Sequence, residues 1–362
     1  MSDVVVFGGY GTFGGRVCEA LAGWSVPLVV AGRDARRAEA AARRLGPGHR
    51  GEGVDARRGE ALGPLLRHAA VAVNCFGSVA GPAAEVFAAS LAAGCHYVDI
   101  SECRAGAARV RAADAELRRR RRVAAYGCSS VPGISGALAA AASAERAAPA
   151  TVRVTLAIGQ CNPKGRAAVE ALAAQAGRTI AAPQGRVRAL VGRFPVALPE
   201  PFGRRSALVF ESPDYDLLPR LGARSVEVGV VFELRPAAPA FALAARLGPR
   251  LGPRVVRLLG LAGGWLSILG TSGGAIQVDL EDAAGNPTRA AVRATEDGQR
   301  LGALPAALAV RALLSPRDTG GALTAAELLG ADALLAALAA EGIEVLLPER
   351  ESPLAGAEPH GR

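Results

Sequence analysis

Lysine is nearly missing. Lys164 is the only one in 362 residues, so all but one of the 42 basic residues are arginine. A Tyr-x-x-x-Lys pair is thereby excluded, because the residue four before Lys164 is Gln160. The short-chain dehydrogenase mechanism goes with it. Aromatics are only 4% of the chain, too few for the base-stacking platforms of a single-strand binder. The formal charge is +9, from 42 basic against 33 acidic residues. This Arg/Ala/Gly bias resembles a GC-rich coding bias, so the charge favours anionic ligands in general, and no nucleic-acid partner is expected. Histidine is scarce and scattered. The six cysteines, Cys18, Cys75, Cys95, Cys103, Cys128 and Cys161, form no CxxC pair, so no metal site is expected. No basic leader precedes Asp3, which opens straight into a strand. Free thiols in a reducing cytoplasm are the expectation.

What is present is material for a core. Half the residues are hydrophobic and 21% are charged, which excludes a disordered chain. The length suggests two domains. Two stretches lack charge, Val123 to Ala144 and Leu258 to Val278, each about as long as a membrane span. The first is broken by Ser129-Ser130-Val131-Pro132-Gly133. The second carries Gly260, Gly263, Gly264, Gly270, Gly273 and Gly274. Buried core is expected for both, with membrane contact through 258–278 as the alternative.

Val4 to Phe7 reads as a buried parallel strand. Within the turn that follows, Gly9-Tyr10-Gly11-Thr12-Phe13-Gly14, the glycines match G-x-G-x-x-G, and a helical segment begins at Arg16. Strand, glycine turn and helix are the context in which this motif binds a dinucleotide. Gly9 allows the tight turn, Gly11 the approach of a pyrophosphate and Gly14 close helix–strand packing. The helix start offers free N–H groups to the phosphates. A second strand runs from Pro27 to Gly32. Where an NAD-binding chain would place an acid for the ribose 2′-OH, this chain has Arg33. A guanidinium there can fork onto a 2′-phosphate, so NADP is expected as cofactor. Arg36 and Arg37 read as a solvated helix face and Asp34 as the cap of that helix. Asp55, ending a short third strand, is read either as a contact to the adenine amino group or as a turn residue. The fourth strand exits through Asn74-Cys75-Phe76-Gly77. Ligands sit beyond the carboxyl ends of such strands, so Cys75, Phe76 and Gly77 are expected on the nicotinamide side.

After a helix ending at Gly94 comes Cys95-His96-Tyr97-Val98-Asp99-Ile100-Ser101-Glu102, a strand that delivers polar side chains to a cleft. The glycine motif, the Asn-Cys-Phe-Gly exit, this block and Val131-Pro132-Gly133 together resemble the saccharopine dehydrogenase-like family of NADP-binding proteins. The resemblance is clear over residues 3–145 and fainter at Gly320-Gly321 and Gly342-Ile343-Glu344. It implies a Rossmann domain completed by the C-terminal segment, with an α/β domain inserted between. It implies amino-acid and polyamine-type dehydrogenases acting at C–N bonds, alongside enoyl reductases and members of unknown activity.

The expected fold class is α/β, a Rossmann-type doubly wound parallel sheet with an inserted α+β domain for substrate binding and dimerisation. Expected bounds are 1–134 for the NADP-binding domain and 135–298 for the insert. Helices over 299–347 return to the Rossmann domain, and 348–362 form a loose tail. Arg118 to Arg122 closes a helix, where cations suit the dipole. Ser129, Ser130, Pro132 and Gly133 form a loop read as facing the cofactor and hinging into the insert, or as a structural turn. Within the insert, strands are expected at 151–159, 206–210, 226–234, 275–280 and 289–294. A polar loop, Gln160 to Arg166, could hold a substrate carboxylate at a helix start.

Bound NADPH would supply hydride, leaving the protein to provide position and a proton. The candidates for that proton are Tyr97, Asp99, Glu102 and Cys103, clustered after one strand, and Lys164. Asp99 is also read as a group that only fixes neighbouring backbone. The expected function is an NADPH-dependent reductase of a small organic substrate, with C=N or amino-acid-like compounds favoured by the resemblance, acting as a cytoplasmic homodimer. A trans-acting enoyl (C=C) reductase and a non-catalytic NADP sensor or scaffold are the alternatives.

Overall fold

The computed structural model describes residues 3–76, 82–144, 146–163, 165–266 and 268–348. The first half lays down β1 (Asp3–Phe7), β2 (Leu28–Gly32), β3 (Arg50–Gly53), β4 (Ala69–Asn74), β5 (His96–Asp99) and β6 (Val123–Ala125). The middle adds β7 (Pro149–Ile158), β8 (Thr179–Ala182), β9 (Gly185–Arg188), β10 (Arg193–Leu198), β11 (Gly203–Val209), β12 (Ser225–Phe232), β13 (Gly274–Asp282) and β14 (Pro287–Ala294). The end contributes β15 (Gly321–Leu323) and β16 (Glu344–Leu346).

One seven-stranded sheet runs β15-β6-β5-β4-β1-β2-β3, and every pairing in it is parallel. The chain reverses its direction of travel across this sheet after β3, between β1 and β4, which creates the crevice where such sheets bind ligands. Its strands are apolar on both faces because both are covered. Val4, Val6, Val30, Val73 and Val98 point into one core, against Val17, Cys18 and Leu21 of the first helix. Their neighbours Val5, Phe7, Val29, Ala72 and Tyr97 point into the other, against Leu62, Leu66, Val86, Phe87 and Val110. This is the doubly wound architecture that continuous apolar strands demand.

A second seven-stranded sheet runs β10-β11-β12-β7-β13-β14-β16. Only β12 and β7 are parallel; the rest pair antiparallel. Helix Ser135–Ser143 packs on β13 and β14, and helix Ala331–Ala340 packs on that helix. A satellite core of Ala173, Leu190, Leu208, Phe241, Ala245 and Val256 joins the helices Arg166–Gln175, Ala237–Arg246 and Gly248–Ala262 to the sheet.

Two expectations need correction. The segment 299–347 does not return whole to the Rossmann sheet. Helix Leu304–Leu313 and β15 do, but β16 pairs with β14 and closes the edge of the mixed sheet. The two uncharged stretches also part company. Val123 to Ala142 is buried almost throughout. Of 258–278, only the strand from Gly274 onward is core, whereas Leu258, Leu261, Ile268 and Leu269 are exposed. Its helix turns Gly252, Val256 and Leu259 inward and Leu251, Leu258 and Leu261 outward. Among the described residues no helix is long and apolar enough to cross a membrane. Strands β8, β9 and β10 went unread in the sequence, while β11 covers most of the strand expected at 206–210. The alternation of β10, with Phe194, Val196 and Leu198 buried between exposed neighbours, was the available signal.

Candidate active site

The glycine turn is built by close approach. Gly8 turns the chain with φ +78°. A Cβ on Gly14 would lie 2.2 Å from the Gly8 carbonyl oxygen, so helix Thr12–Gly23 can seat on β1 only with glycine there. At Gly9 a Cβ would come to 3.0 Å from both Cys18 Sγ and Val30 Cγ1, and at Gly11 to 3.0 Å from the Gly8 oxygen. The helix opens with no side-chain cap and no acid in its first turn. The next helix, Ala35–Leu45, is capped, with Asp34 accepting from Arg37 N at 3.1 Å. The uncapped start leaves its donors and the positive dipole end for an anion.

At the end of β2 the Tyr10 ring lies on Gly32, where a Cβ would meet Tyr10 Cε1 at 2.4 Å. The Tyr10 hydroxyl accepts from Asp34 N at 3.1 Å, and the Arg37 guanidinium sits 4.7 Å from the ring centroid. Arg33 is exposed beside them, with no ion-pair partner among the described residues. A 2′-phosphate at this edge would therefore meet two guanidinium groups, one free and one already oriented by a ring. Asp55 accepts from Arg57 N at 3.1 Å, which is the geometry of a turn residue.

Phe13 and Thr12 face elsewhere. Phe13 packs on Gly302, where a Cβ would come within 2.8 Å of its ring, and Thr12 Oγ1 approaches Gly165. Both join the glycine turn to later parts of the chain. The neighbouring Arg16 forks onto Asp297, Nε to Oδ1 at 2.8 Å and to Oδ2 at 2.9 Å, and fixes the same junction. At the exit of β4, Cys75 N donates to the Phe7 carbonyl at 3.0 Å and Phe76 N to Asn74 Oδ1 at 3.2 Å. The Phe76 ring rests on Gly8. Burial pushes the Cys75 thiol well above its usual range, so it stays protonated. Gly77 and Lys164 lie outside the described residues.

The cluster after β5 divides into three buried groups and one half-buried acid. Asp99 is buried and takes three donors: Asn74 Nδ2 at 2.9 Å, the Tyr97 hydroxyl at 3.1 Å and Ser101 N at 2.7 Å. Burial still raises its carboxyl to about 6 against those bonds. Tyr97 is likewise buried, its hydroxyl spent on Asp99 and its acidity suppressed by desolvation. Cys103 caps helix Arg104–Ala112, its sulfur accepting from Gly106 N at 3.3 Å, and burial raises its pKa. These three are positioned as structure. Glu102 differs. Half-buried, it takes Ser129 Oγ at 3.0 Å and Val131 N at 3.4 Å on one oxygen, Oε1. Desolvation raises it to about 7, with the charge of Asp214 adding to the rise. Pro132 packs on Gly127 and Gly133 near Ala325, both buried, so this loop shapes the seat of Glu102.

Asp214 was missed in the sequence. It begins the short helix Asp214–Leu217 after β11 and is fully buried. Its Oδ2 accepts from Ser135 Oγ at 2.9 Å and Ser212 Oγ at 3.2 Å, while Oδ1 has no partner among the described residues. Burial raises it to about 7. The same turn pins the two domains together, because Arg104 Nε donates to Asp216 Oδ2 at 2.9 Å and a second bond runs from Nη2 to Oδ1. The acid-rich run Glu211-Ser212-Pro213-Asp214-Tyr215-Asp216 was the only signal, and nothing local in it points to a partner at Ser135.

A Rossmann sheet with a glycine turn, a basic second-strand edge and near-neutral carboxyls at its carboxyl end defines the class: a dinucleotide-binding oxidoreductase. Residues 4–131 match the family model of the saccharopine dehydrogenase NADP binding domain. The first third of the chain is thus similar to the NADP-binding domain of saccharopine dehydrogenases, and the chain is an NAD(P)-dependent oxidoreductase whose cofactor is NADP. Among solved structures, apo histidine-tagged saccharopine dehydrogenase (L-Glu forming) from Saccharomyces cerevisiae is 15% identical, with a TM-score of 0.66 over 95% of this chain and 99% of that one. At that identity the likeness concerns the fold. Sorbitol-6-phosphate 2-dehydrogenase from Erwinia amylovora, also 15% identical, overlaps 34% of this chain and 69% of that one with a TM-score of 0.31. The comparison with curated proteins gives no match.

Proposed function

We propose that the chain reduces a small organic substrate in the cleft between its two sheets, a C=N or amino-acid-like compound being favoured, and that Glu102 supplies the proton. The observation that carries this is the near-neutral Glu102 carboxyl at the carboxyl end of β5, held on Oε1 and faced by the second acid, Asp214. Gly9, Gly11 and Gly14 shape the pyrophosphate seat, the uncapped amides of helix Thr12–Gly23 bind it, and Arg33 with Arg37 holds the 2′-phosphate. When bound, NADPH would supply hydride to the C=N carbon, and Glu102 would supply the proton to its nitrogen. An acid of pKa near 7 is suited to that transfer at neutral pH. Ser129 orients the carboxyl, burial keeps its proton on, and the charge of Asp214 adds to the rise.

The reading takes residues 1–134 as the nucleotide domain and 135–298 as the substrate domain, in a cytoplasmic homodimer. Free thiols at all six cysteines agree with a reducing compartment. The test is NADPH consumption with panels of imines and enoyl esters. Turnover of imines alone supports the proposal, and turnover of enoyl esters alone replaces it with C=C reduction. NADP binding with no turnover on either panel reduces the chain to a sensor.

A further inference from the structure

Helix Gly248–Ala262 is inverted for a surface helix of a water-soluble domain. Its inner face is mostly small: Gly252 lies against the Ala244 carbonyl, Gly260 against Val169, Val256 is fully buried, and Val255 and Leu259 pack part-buried on the satellite core. Its outer face carries Leu251, Leu258 and Leu261, the middle one 66% exposed. Leu243 and Leu247 extend this face before the helix, and Ile268 and Leu269 extend it beyond, Ile268 at 87% exposure. Burying leucine inward is the ordinary arrangement, and a contiguous exposed patch of this kind marks an interaction surface.

Charge identifies what covers it. Between Glu233 and Asp279 the sequence contains no acidic residue, but it carries Arg235, Arg246, Arg250, Arg254 and Arg257. Glu170 reaches in to pair with Arg257 at 2.7 Å. Arg246, Arg250 and Arg254 are exposed, with no ion-pair partner among the described residues. Arg250 stands in the first turn of the helix, where the dipole disfavours a cation. Successive residues advance 100° around a helix, which sets Arg250, Arg254 and Arg257 on the same side as Leu251, Leu258 and Leu261. Leucines flanked by arginines that extend past them suit an interface where alkyl groups enter the acyl layer and guanidinium groups reach phosphates. A second copy pairing this face with itself would oppose arginine to arginine, with only Glu170, already paired to Arg257, to offset them. We infer that this face docks on an anionic lipid bilayer.

The face borders the cleft. Gln160 Nε2 donates to the Gly263 carbonyl at 2.6 Å, Cys161 Sγ to the Gly270 carbonyl at 3.3 Å, and the same loop reaches Thr12 of the glycine turn through Gly165. Docking thus sets one rim of the substrate domain on the membrane.

The experiment is flotation of the full chain with vesicles of phosphatidylcholine, with and without phosphatidylglycerol, alongside sedimentation to fix its mass. Co-flotation only with the anionic vesicles is expected, weakened by salt. The double variant Leu251→Ser/Leu258→Ser should stay at the bottom while keeping its thermal midpoint and NADP affinity. Arg254→Gln should lower partitioning roughly fivefold, the share of one cation near such a surface. The inference is overturned if the protein ignores both vesicles, or floats equally with the neutral ones. It is also overturned if Leu258→Ser splits a dimer, which would make a second copy the occupant.

Discussion

The strand-end turns of the nucleotide half and its junction with the rest of the chain are held by different means. In the nucleotide half, polar groups at strand ends find partners within a few residues. Asp34 takes Arg37 N, Asp55 takes Arg57 N, Asn74 takes Phe76 N and Asp99 takes Ser101 N. At the junction with the later parts of the chain the partners are far apart in sequence. Ser135 meets Asp214, Arg104 meets Asp216, Ser129 meets Gly302 and Arg16 meets Asp297. Local bonds form a rigid cofactor shelf that any Rossmann half can build by itself. Long-range bonds form only when the second domain has folded against it, and they tune the acid that would do chemistry. The consequence is that Asp99 and Glu102, three positions apart, have opposite fates: one is saturated with donors and the other is half-buried and held on Oε1 alone among the described residues.

Breaking the junction side should give the largest effect. Glu102→Gln is expected to lower turnover by about a hundredfold or more, the share of a general acid, with NADPH affinity measured by calorimetry unchanged. An undiminished rate would move the proton donor elsewhere. Breaking the shelf side should instead cost stability. Asp99→Ala leaves the donors of Asn74, Tyr97 and Ser101 unpaired, and an unfolding loss of about 3 kcal/mol is expected in denaturant titration.

Arg33→Ala sharpens the shelf's role in selectivity. It removes a charge-assisted contact, so NADPH binding should weaken about tenfold or more while NADH binding hardly changes. Equal losses for both nucleotides would place the 2′-phosphate elsewhere.

The smallest effect concerns pH. Asp214 has its carboxyl raised from 3.8 to about 7, so the folded state holds a proton that the unfolded state releases. That contribution is fully present below the unfolded pKa and is lost as pH rises through the folded one. Stability should fall between about pH 4 and 7 on this account, with Asp99 and Glu102 adding in the same direction. Asp214→Asn should flatten the fall and gain on the order of 1 kcal/mol at pH 8 relative to pH 5 in thermal melts. It should also move the alkaline limb of turnover to lower pH, because Glu102 loses the charge that raises its pKa.

Much of the nucleotide half was legible because its signals are local. The run Val4–Phe7, the spaced glycines, Arg33 and the Asp34 cap each act within one strand–turn–helix unit, where hard-sphere contact and backbone hydrogen bonding leave few choices. The candidate acids after β5 were legible as a group, but their division into buried groups and one half-buried acid was not. Which oxygen of Asp99 or Glu102 is occupied depends on Asn74 from the next strand, on Ser129 and on Asp214 from another domain. The C-terminal segment looked like one unit in sequence, yet β15 and β16 joined different sheets, since short strands carry too little pattern to name their neighbour.

Hydropathy alone made Val123–Ala144 and Leu258–Val278 equivalent. Sequence by itself determined the parallel nucleotide sheet, the glycine turn and the cationic edge, because each rests on interactions between residues close along the chain. Tertiary structure alone decided that Asp214 faces Ser135, that Glu102 is the acid left half-open, and that one of two uncharged stretches turns Leu258 and Leu261 outward. Those outcomes depend on what packs against each face, and burial is a property of the assembled surfaces.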